Sequence, residues 1–383
     1  MKAIIACENK QELDDLIYLI KKSSGEINPT YFDMSQLLGT PKLEGSEFFT
    51  KNKKSINIFG DKFKNLSPLK KILSSIVNGV ILAVEYKKTR SDILITGTPL
   101  LTLRVARIIS FGKIKTAVLI RGVIAYSSSE TSLSSMIFLK IKNLAKIGAI
   151  QRIVSDYYGD LVFCTGEITK NFIMSRLVPE ENLIVAGSLY CDRQDESQHP
   201  TRKEGKCIVF ISSALEFHGY RDAQDIQTKM IEELITEVEK IDPKKTCTIQ
   251  VRKHPRENIE IYKKNKLIAS HLDESLPPTS EYPEDTLFIS PISTLAFELA
   301  YQKRNSQILT TPELQDKFSE WYASMGIENK FNWREVIKQH INNERIRPMD
   351  ESERVISTKF RGAVAEKILV EIKNKLSTNN AHE

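Results

Sequence analysis

The ten residues TIQVRKHPRE, from Thr248 to Glu257, concentrate groups able to handle an anionic leaving group. An apolar run ends at Val251. Arg252, Lys253, His254, Pro255 and Arg256 follow at what would be the carboxyl end of a strand, where open parallel sheets bind ligands. Pro255 removes one backbone donor and fixes the turn, while the His254 imidazole can hydrogen-bond a phosphate oxygen or protonate a departing group. The same string also suits an ordinary strand-to-loop turn with solvated bases. A second His-Pro pair, His199-Pro200, sits in a polar stretch and shows how common the dipeptide is.

The second group is DTLFISPISTLAFELA, Asp285 to Ala300. A buried strand runs into Ser290, Ser293 and Thr294 at the start of a helix, where hydroxyls and unpaired amides form an anion site without a metal. Ser293 or Thr294 is equally placed to cap that helix, and capping is compatible with phosphate binding. If both groups lie on neighbouring strands of one sheet, His254 and Ser293/Thr294 share the phosphate of a nucleotide as their target. The sequence has no GxxxxGK[ST], GxGxxG, HExxH or GxSxG motif and no carboxylate-rich metal cluster. What remains is a nucleotide-sugar transferase that needs no metal and no cofactor.

These groups need a scaffold that aims strand ends at a ligand, and the chain supplies that rhythm. Strands are predicted at Ala3–Cys7, Ser55–Phe59, Asp92–Thr96, Lys115–Ile120, Leu161–Cys164 and Asn182–Ala186. Helices are predicted at Gln11–Lys22, from a Ser67 cap with Pro68 first in the helix to Val77, and at Leu100–Ser110 and Ile168–Leu177. CDRQDESQHPTRKEG, Cys191 to Gly205, has no apolar period and reads as a linker. The alternation restarts with strands at Cys207–Ile211, Cys247–Val251, Asp285–Ile289 and Gln307–Leu309, and helices at Asp225–Lys240 and Thr294–Tyr301. Glu351–Lys375 reads as a long amphipathic tail helix. The fold class is therefore α/β, with two Rossmann-like, doubly wound domains facing a central cleft. Residues 1–190 are the expected acceptor-binding domain, 191–205 the linker, 206–350 the nucleotide-sugar domain and 351–383 the C-terminal helix and tail.

Charge separates the two halves. Of the 383 residues, 55 are Lys or Arg and 49 Asp or Glu, for a net +6. Residues 51–150 hold 18 Lys+Arg against 4 Asp+Glu, so the rest of the chain is net acidic. One positive surface is expected there, drawing an anionic partner in a salt-dependent way: lipid headgroups, an anionic glycan or, less well, nucleic acid. No nucleic-acid motif or interleaved aromatics accompany the bases. A solvated basic face with no partner is the alternative. Apolar runs such as Val80–Val84 and Ala117–Ile120 fall far short of the roughly 20 residues that span a bilayer. The N-terminus lacks a signal-peptide core. Five cysteines, an odd number without CxxC spacing, point to neither a disulfide framework nor a zinc site. The expected location is the cytoplasm, with peripheral contact at the inner membrane.

The order of these features resembles the bacterial GT-B sialyltransferases, particularly the lipooligosaccharide sialyltransferases and, more distantly, the capsular polysialyltransferases. The resemblance rests on VRKHPRE, SPISTLAFE, the junction VPEENLIVAGSLYCD from Val178 to Asp192, and IKTAVLIRGVIAYSSS from Ile114 to Ser129. It implies that His254 contacts the phosphate of cytidine monophosphate and assists its departure, and that Ser293 and Thr294 bind the same phosphate. Where the family places an acidic pair before Gly, its second carboxylate serving as general base, this chain has Ile120-Arg121-Gly122. Arginine cannot accept that proton. Either another carboxylate serves, or the chemistry differs, or transfer has been lost. Glu130, in YSSSETSLSS, is the replacement candidate, although most loop acids are simply solvated. Arg121 is then a candidate for an anionic acceptor or the donor's carboxylate. Glu281, in LPPTSEYPED, stands where related enzymes hold a carboxylate on the nucleotide ribose. Ser212 and Ser213 are candidates for the donor pocket or for a turn, and His218 reads as a surface histidine.

The expected activity is inverting, metal-independent transfer of sialic acid or a related acidic sugar from a CMP donor to a bacterial surface glycan of lipooligosaccharide or capsule. The expected partners are that donor and an anionic glycan or glycolipid acceptor. The alternatives are a CMP-Kdo transferase, a CDP-glycerol-type phosphotransferase, or a non-catalytic descendant that binds glycan or nucleotide.

Overall fold

A computed structural model describes residues 1–7, 9–35, 51–54, 56, 68–97, 101–121, 157–175, 178–197, 205–216, 219–255, 257–275, 279–327, 332–347, 349 and 352–380. Two compact units emerge. The first comprises Met1–Gly122, Leu133–Arg193 and Ser357–Glu383, and the second Val123–Ser132 and Gln194–Ile356.

The sheet of the first unit contains β1 (Lys2–Cys7), β2 (Asn28–Asp33), β3 (Lys51–Lys54), β4 (Ile93–Thr96), β5 (Thr116–Leu119), β6 (Leu161–Cys164) and β7 (Leu183–Val185) in the order β3-β2-β1-β4-β5-β6-β7. The second contains β8 (Lys206–Ile211), β9 (Cys247–Arg252), β10 (Leu272–Asp273), β11 (Thr286–Ser290) and β12 (Ser306–Ile308) in the order β10-β9-β8-β11-β12. Every strand pair among the described residues is parallel. The predicted α/β class with doubly wound sheets is what forms. In each sheet the strand order reverses beside the first strand, between β1 and β4 and between β8 and β11, so the carboxyl ends there are where a ligand is expected.

The principal helices are α1 (Lys10–Lys22), α2 (Pro68–Thr89), α3 (Leu101–Ile109), α4 (Glu167–Ser175), α5 (Leu189–Ser197), α6 (Arg221–Ile241), α7 (Thr294–Tyr301), α8 (Trp333–Ile341) and α9 (Val364–Asn380). On one face of the first sheet, Leu13, Leu16 and Leu19 of α1 share a core with Ile5, Ile95 and Phe163 and with Val364, Ile368 and Ile372 of α9. On the other face Leu82 of α2 and Leu103 and Ala106 of α3 pack on Ile4, Phe32 and Leu94. Burial on both faces explains why β1, β4 and β11 read as continuous apolar runs rather than alternating ones.

The described residues differ from the sequence reading in five places. The stretch expected as a linker, 191–205, begins as helix: α5 covers Leu189–Ser197, and 198–204 lie outside the described residues. A strand that the sequence reading does not name forms at Asn28–Asp33; Pro29, near its start, removes no essential donor. Another unnamed strand forms at the lysine-rich Lys51–Lys54 and pairs with β2; the strand expected at Ser55–Phe59 lies, apart from Ile56, outside the described residues. The helix beginning at Pro68 continues past Val77 to Thr89 and absorbs the apolar Val80–Val84 run. The tail helix is interrupted. Ser352–Val355 ends, the chain turns at Gly362 (φ +78°), and α9 begins anew with the Asp192 carboxylate accepting from Gly362 N and Val364 N, both at 2.8 Å. That buried carboxylate caps the helix and fastens the C-terminal segment to the first unit.

Helices α2 and α3 cross closely at Gly79, where an added Cβ would lie 2.6 Å from Val105 Cβ and 2.9 Å from the Thr102 carbonyl oxygen. Gly79→Val should therefore destabilise the first unit by about 1–3 kcal/mol through overpacking. A lowered denaturant midpoint checks this, and an unchanged one would show that the crossing yields freely.

Candidate functional site

The carboxyl ends of β8, β9 and β11 are drawn together by one buried polar network. After β9 the chain makes a tight turn in which Glu257 N donates to the His254 carbonyl at 3.0 Å, with Pro255 at the second position that favours it. The turn folds Glu257 back under the strand end. Its carboxylate is only 8% exposed. It accepts from His254 N at 2.6 Å, Tyr262 OH at 2.7 Å, Gln224 Nε2 at 3.1 Å and Gln227 Nε2 at 3.3 Å, and closely from the Ser212 hydroxyl. The Ser212 Oγ also accepts from His254 N at 3.0 Å. A buried carboxylate is tolerated only when so supplied with donors.

The network reaches β11 through the next residue. Gln227 brackets Ser213, accepting from its N–H at 2.9 Å and donating to its carbonyl at 3.1 Å, while the Ser213 hydroxyl donates closely to the Ile292 carbonyl. The Tyr322 hydroxyl holds the same loop from the other side, donating to Pro291 O at 2.6 Å. Burial pushes the Tyr322 and Tyr262 phenols upward, so both remain neutral donors. Ser293, next along, caps α7 by accepting from Leu295 N at 3.2 Å.

His254 and Ser293/Thr294 thus sit at the same end of one sheet, each on a loop tied to the Ser212-Ser213 pair. The condition set from the sequence, that their strands be neighbours, is not met as worded: β9 and β11 each pair with β8, which lies between them. Pro255 is exposed, and His254, Ser293 and Thr294 are half-buried. Sequence reasoning gave no role to Glu257, Gln224, Gln227 or Tyr262. The available signals were an acid three residues after the histidine and two glutamines three apart on the buried side of α6.

Glu281 lies elsewhere in this unit. It lines a cavity of about 780 Å³ with His271, Asp273, Tyr282, Thr248 and Gln250, which His254, Ser293 and Thr294 do not line. There the Tyr282 hydroxyl donates to Asp273 Oδ2 at 2.7 Å, with Arg252 Nη1 3.4 Å from the same hydroxyl. Burial works against the Asp273 charge. The hydrogen bonds from Ser275 and Tyr282, with nearby Arg252, outweigh it and hold the carboxyl below its usual range.

In the first unit Arg121 is not open to a ligand on every side. Its Nε lies 2.6 Å from Asp15 Oδ2, Arg193 Nε donates to Asp15 Oδ1 at 2.9 Å, and both guanidinium groups approach the Tyr190 ring. Burial pushes the Asp15 carboxyl upward, against the pull of the two arginines. Beside this group Glu12, at the start of α1, accepts from Gly97 N at 2.5 Å. Glu12, Asp15, Arg121 and Tyr190 line a small hollow near the β1/β4 reversal. Glu130 and His218 lie outside the described residues.

No family model and no curated protein matches the chain. Solved structures do. The UDP-GlcNAc 2-epimerase from Methanocaldococcus jannaschii aligns over 98% of this chain and 100% of its own, with TM-score 0.57 and 13% identity. The UDP-GlcNAc 2-epimerase from Neisseria meningitidis, solved bound to UDP-GlcNAc, aligns over 98% and 100%, with TM-score 0.57 and 16% identity. The glycotransferase of kitacinnamycin aligns over 98% and 98%, with TM-score 0.53 and 11% identity. The fold is GT-B-like, matched from end to end. The likeness to sialyltransferases in particular rests on the four sequence segments alone.

Proposed function

We propose that the protein is a nucleotide-sugar glycosyltransferase whose second unit holds the donor's phosphate between the His254 turn and the Ser293/Thr294 end of α7. The observation that carries this reading is the Glu257–Ser212–Ser213 network, which fixes both loops at the reversal point of a parallel sheet. A buried carboxylate with five donors positions a turn at considerable cost, and the group that turn presents is an imidazole. The UDP-GlcNAc 2-epimerases of the same fold support a nucleotide sugar as substrate class. The His-Pro and Ser-Thr motifs support the narrower choice of a CMP-linked acidic sugar.

In the transfer step the acceptor hydroxyl oxygen bonds to the anomeric carbon as the bond from that carbon to the phosphate oxygen of the nucleotide breaks in line, inverting the centre. The electron pair leaves on the phosphate. His254 donates a hydrogen bond or a proton to it, and the amides and hydroxyls at the start of α7 share the charge. The acceptor's proton passes to a carboxylate, for which Glu130 is the candidate. Arg121 is already paired with Asp15, which it shares with Arg193, and this holds its guanidinium in place for an orienting role.

Released nucleotide, followed across CMP-, CDP- and UDP-linked sugars with a lipooligosaccharide acceptor present and absent, tests the reading. Acceptor-dependent release of CMP is expected. Acceptor-independent turnover of UDP-GlcNAc would move the assignment to a 2-epimerase, and no turnover with any donor would leave the non-catalytic alternative.

A further inference from the structure

We propose that the outer faces of α2 and α3 form a docking surface for an anionic phospholipid bilayer. On α2, Leu73, Ile76, Val80 and Val84 recur at intervals of three and four residues and so fall on one side of the helix. All four are 39–56% exposed, as is Ile72 beside them. On α3 Ile108 and Ile109 are also exposed, and in the turn that follows Phe111 is 92% exposed. The inner sides of both helices already fill the core against β1, β2 and β4, so this outward apolar set is surplus to folding.

Charge identifies the occupant. Between residues 68 and 115 the chain carries nine Lys or Arg and two Asp or Glu. Lys70, Lys87, Lys88, Arg90 and Lys113 are exposed around the apolar positions. Lys70 lies near one end of the apolar stripe and Lys87 and Lys88 near the other. A glycan would suit the bases but not the exposed Leu, Ile, Val and Phe. A second copy would suit the apolar stripe but not the bases: antiparallel pairing of α2 about its middle sets Lys70 of one copy beside Lys87 and Lys88 of the other. An anionic bilayer surface suits both, taking the apolar side chains below its headgroups and the ammonium groups among its phosphates. No helix among the described residues is long and apolar enough to cross a membrane.

Flotation of the full chain with vesicles tests this without any nucleotide or acceptor, so its outcome is separate from that of the donor panel. The protein should float with phosphatidylcholine vesicles containing about one part in three phosphatidylglycerol, and at least tenfold less with phosphatidylcholine alone or at high salt. Val84→Glu combined with Phe111→Glu should abolish flotation while leaving the thermal midpoint unchanged. Lys87→Glu with Lys88→Glu should weaken it on anionic vesicles only. Failure to float on anionic vesicles would overturn the proposal, as would equal binding to both compositions. So would a concentration-dependent dimer that Val84→Glu dissociates, since the stripe would then be covered by a second copy.

Discussion

His254→Ala should lower transfer by about 10²–10⁴-fold, the range that a positioned acid or hydrogen-bond donor to a leaving group supplies. Stability should stay close to that of the parent protein. The separation is expected because the turn is held through the backbone: His254 N donates to Ser212 and Glu257, and its carbonyl accepts from Glu257 N. None of these bonds needs the imidazole. If the ring assists departure of the phosphate, the loss should fall on turnover more than on KM, and donors with better leaving groups should suffer less. Initial rates on the donor identified by the panel, with a thermal melt alongside, check both halves. Unchanged turnover would remove His254 from the chemistry, and a large loss of stability would make it a structural residue.

Glu257→Ala should show the opposite balance, with a loss of about 3–5 kcal/mol in stability. The carboxylate gathers donors from Ser212, Gln224, Gln227, His254 and Tyr262, and its removal leaves several of them buried without an acceptor. Glu257→Gln should lie between, because an amide still accepts on one side but sets its N–H₂ against the hydroxyl or amide donors on the other. In denaturant titrations the midpoint should order as parent, Gln, Ala. Equal midpoints for all three would show that the network is not what fixes the His254 turn.

The contrast between these variants explains which parts of the site could be read from the chain. His254, Ser293 and Thr294 stand out because their types carry chemistry and their positions follow apolar strand runs. Glu257 does not stand out, since an acid in a polar loop is ordinarily solvated; only the turn at Pro255 carries it inward. Gln224 and Gln227 are legible as a spacing on α6, but not Gln227 as the partner of Ser213, fourteen residues upstream across a strand-to-helix connection. The doubly wound class was legible because parallel strands buried on both faces leave uninterrupted apolar runs such as Cys207–Ile211. The edge was not. Lys51–Lys54 is a strand without an apolar residue, as edge positions allow. The return of the C-terminal helix to the first unit, capped by Asp192, depends on a contact between residues some 170 positions apart that no local pattern announces.

Calorimetric titration of the full chain with CMP and with UDP tests the central claim most directly. Saturable binding of CMP is predicted, weakened about tenfold or more when His254→Ala is combined with Thr294→Val, and with UDP bound less tightly. Absence of heat with both nucleotides, or affinity indifferent to those two substitutions, would contradict a phosphate held between the imidazole turn and the start of α7.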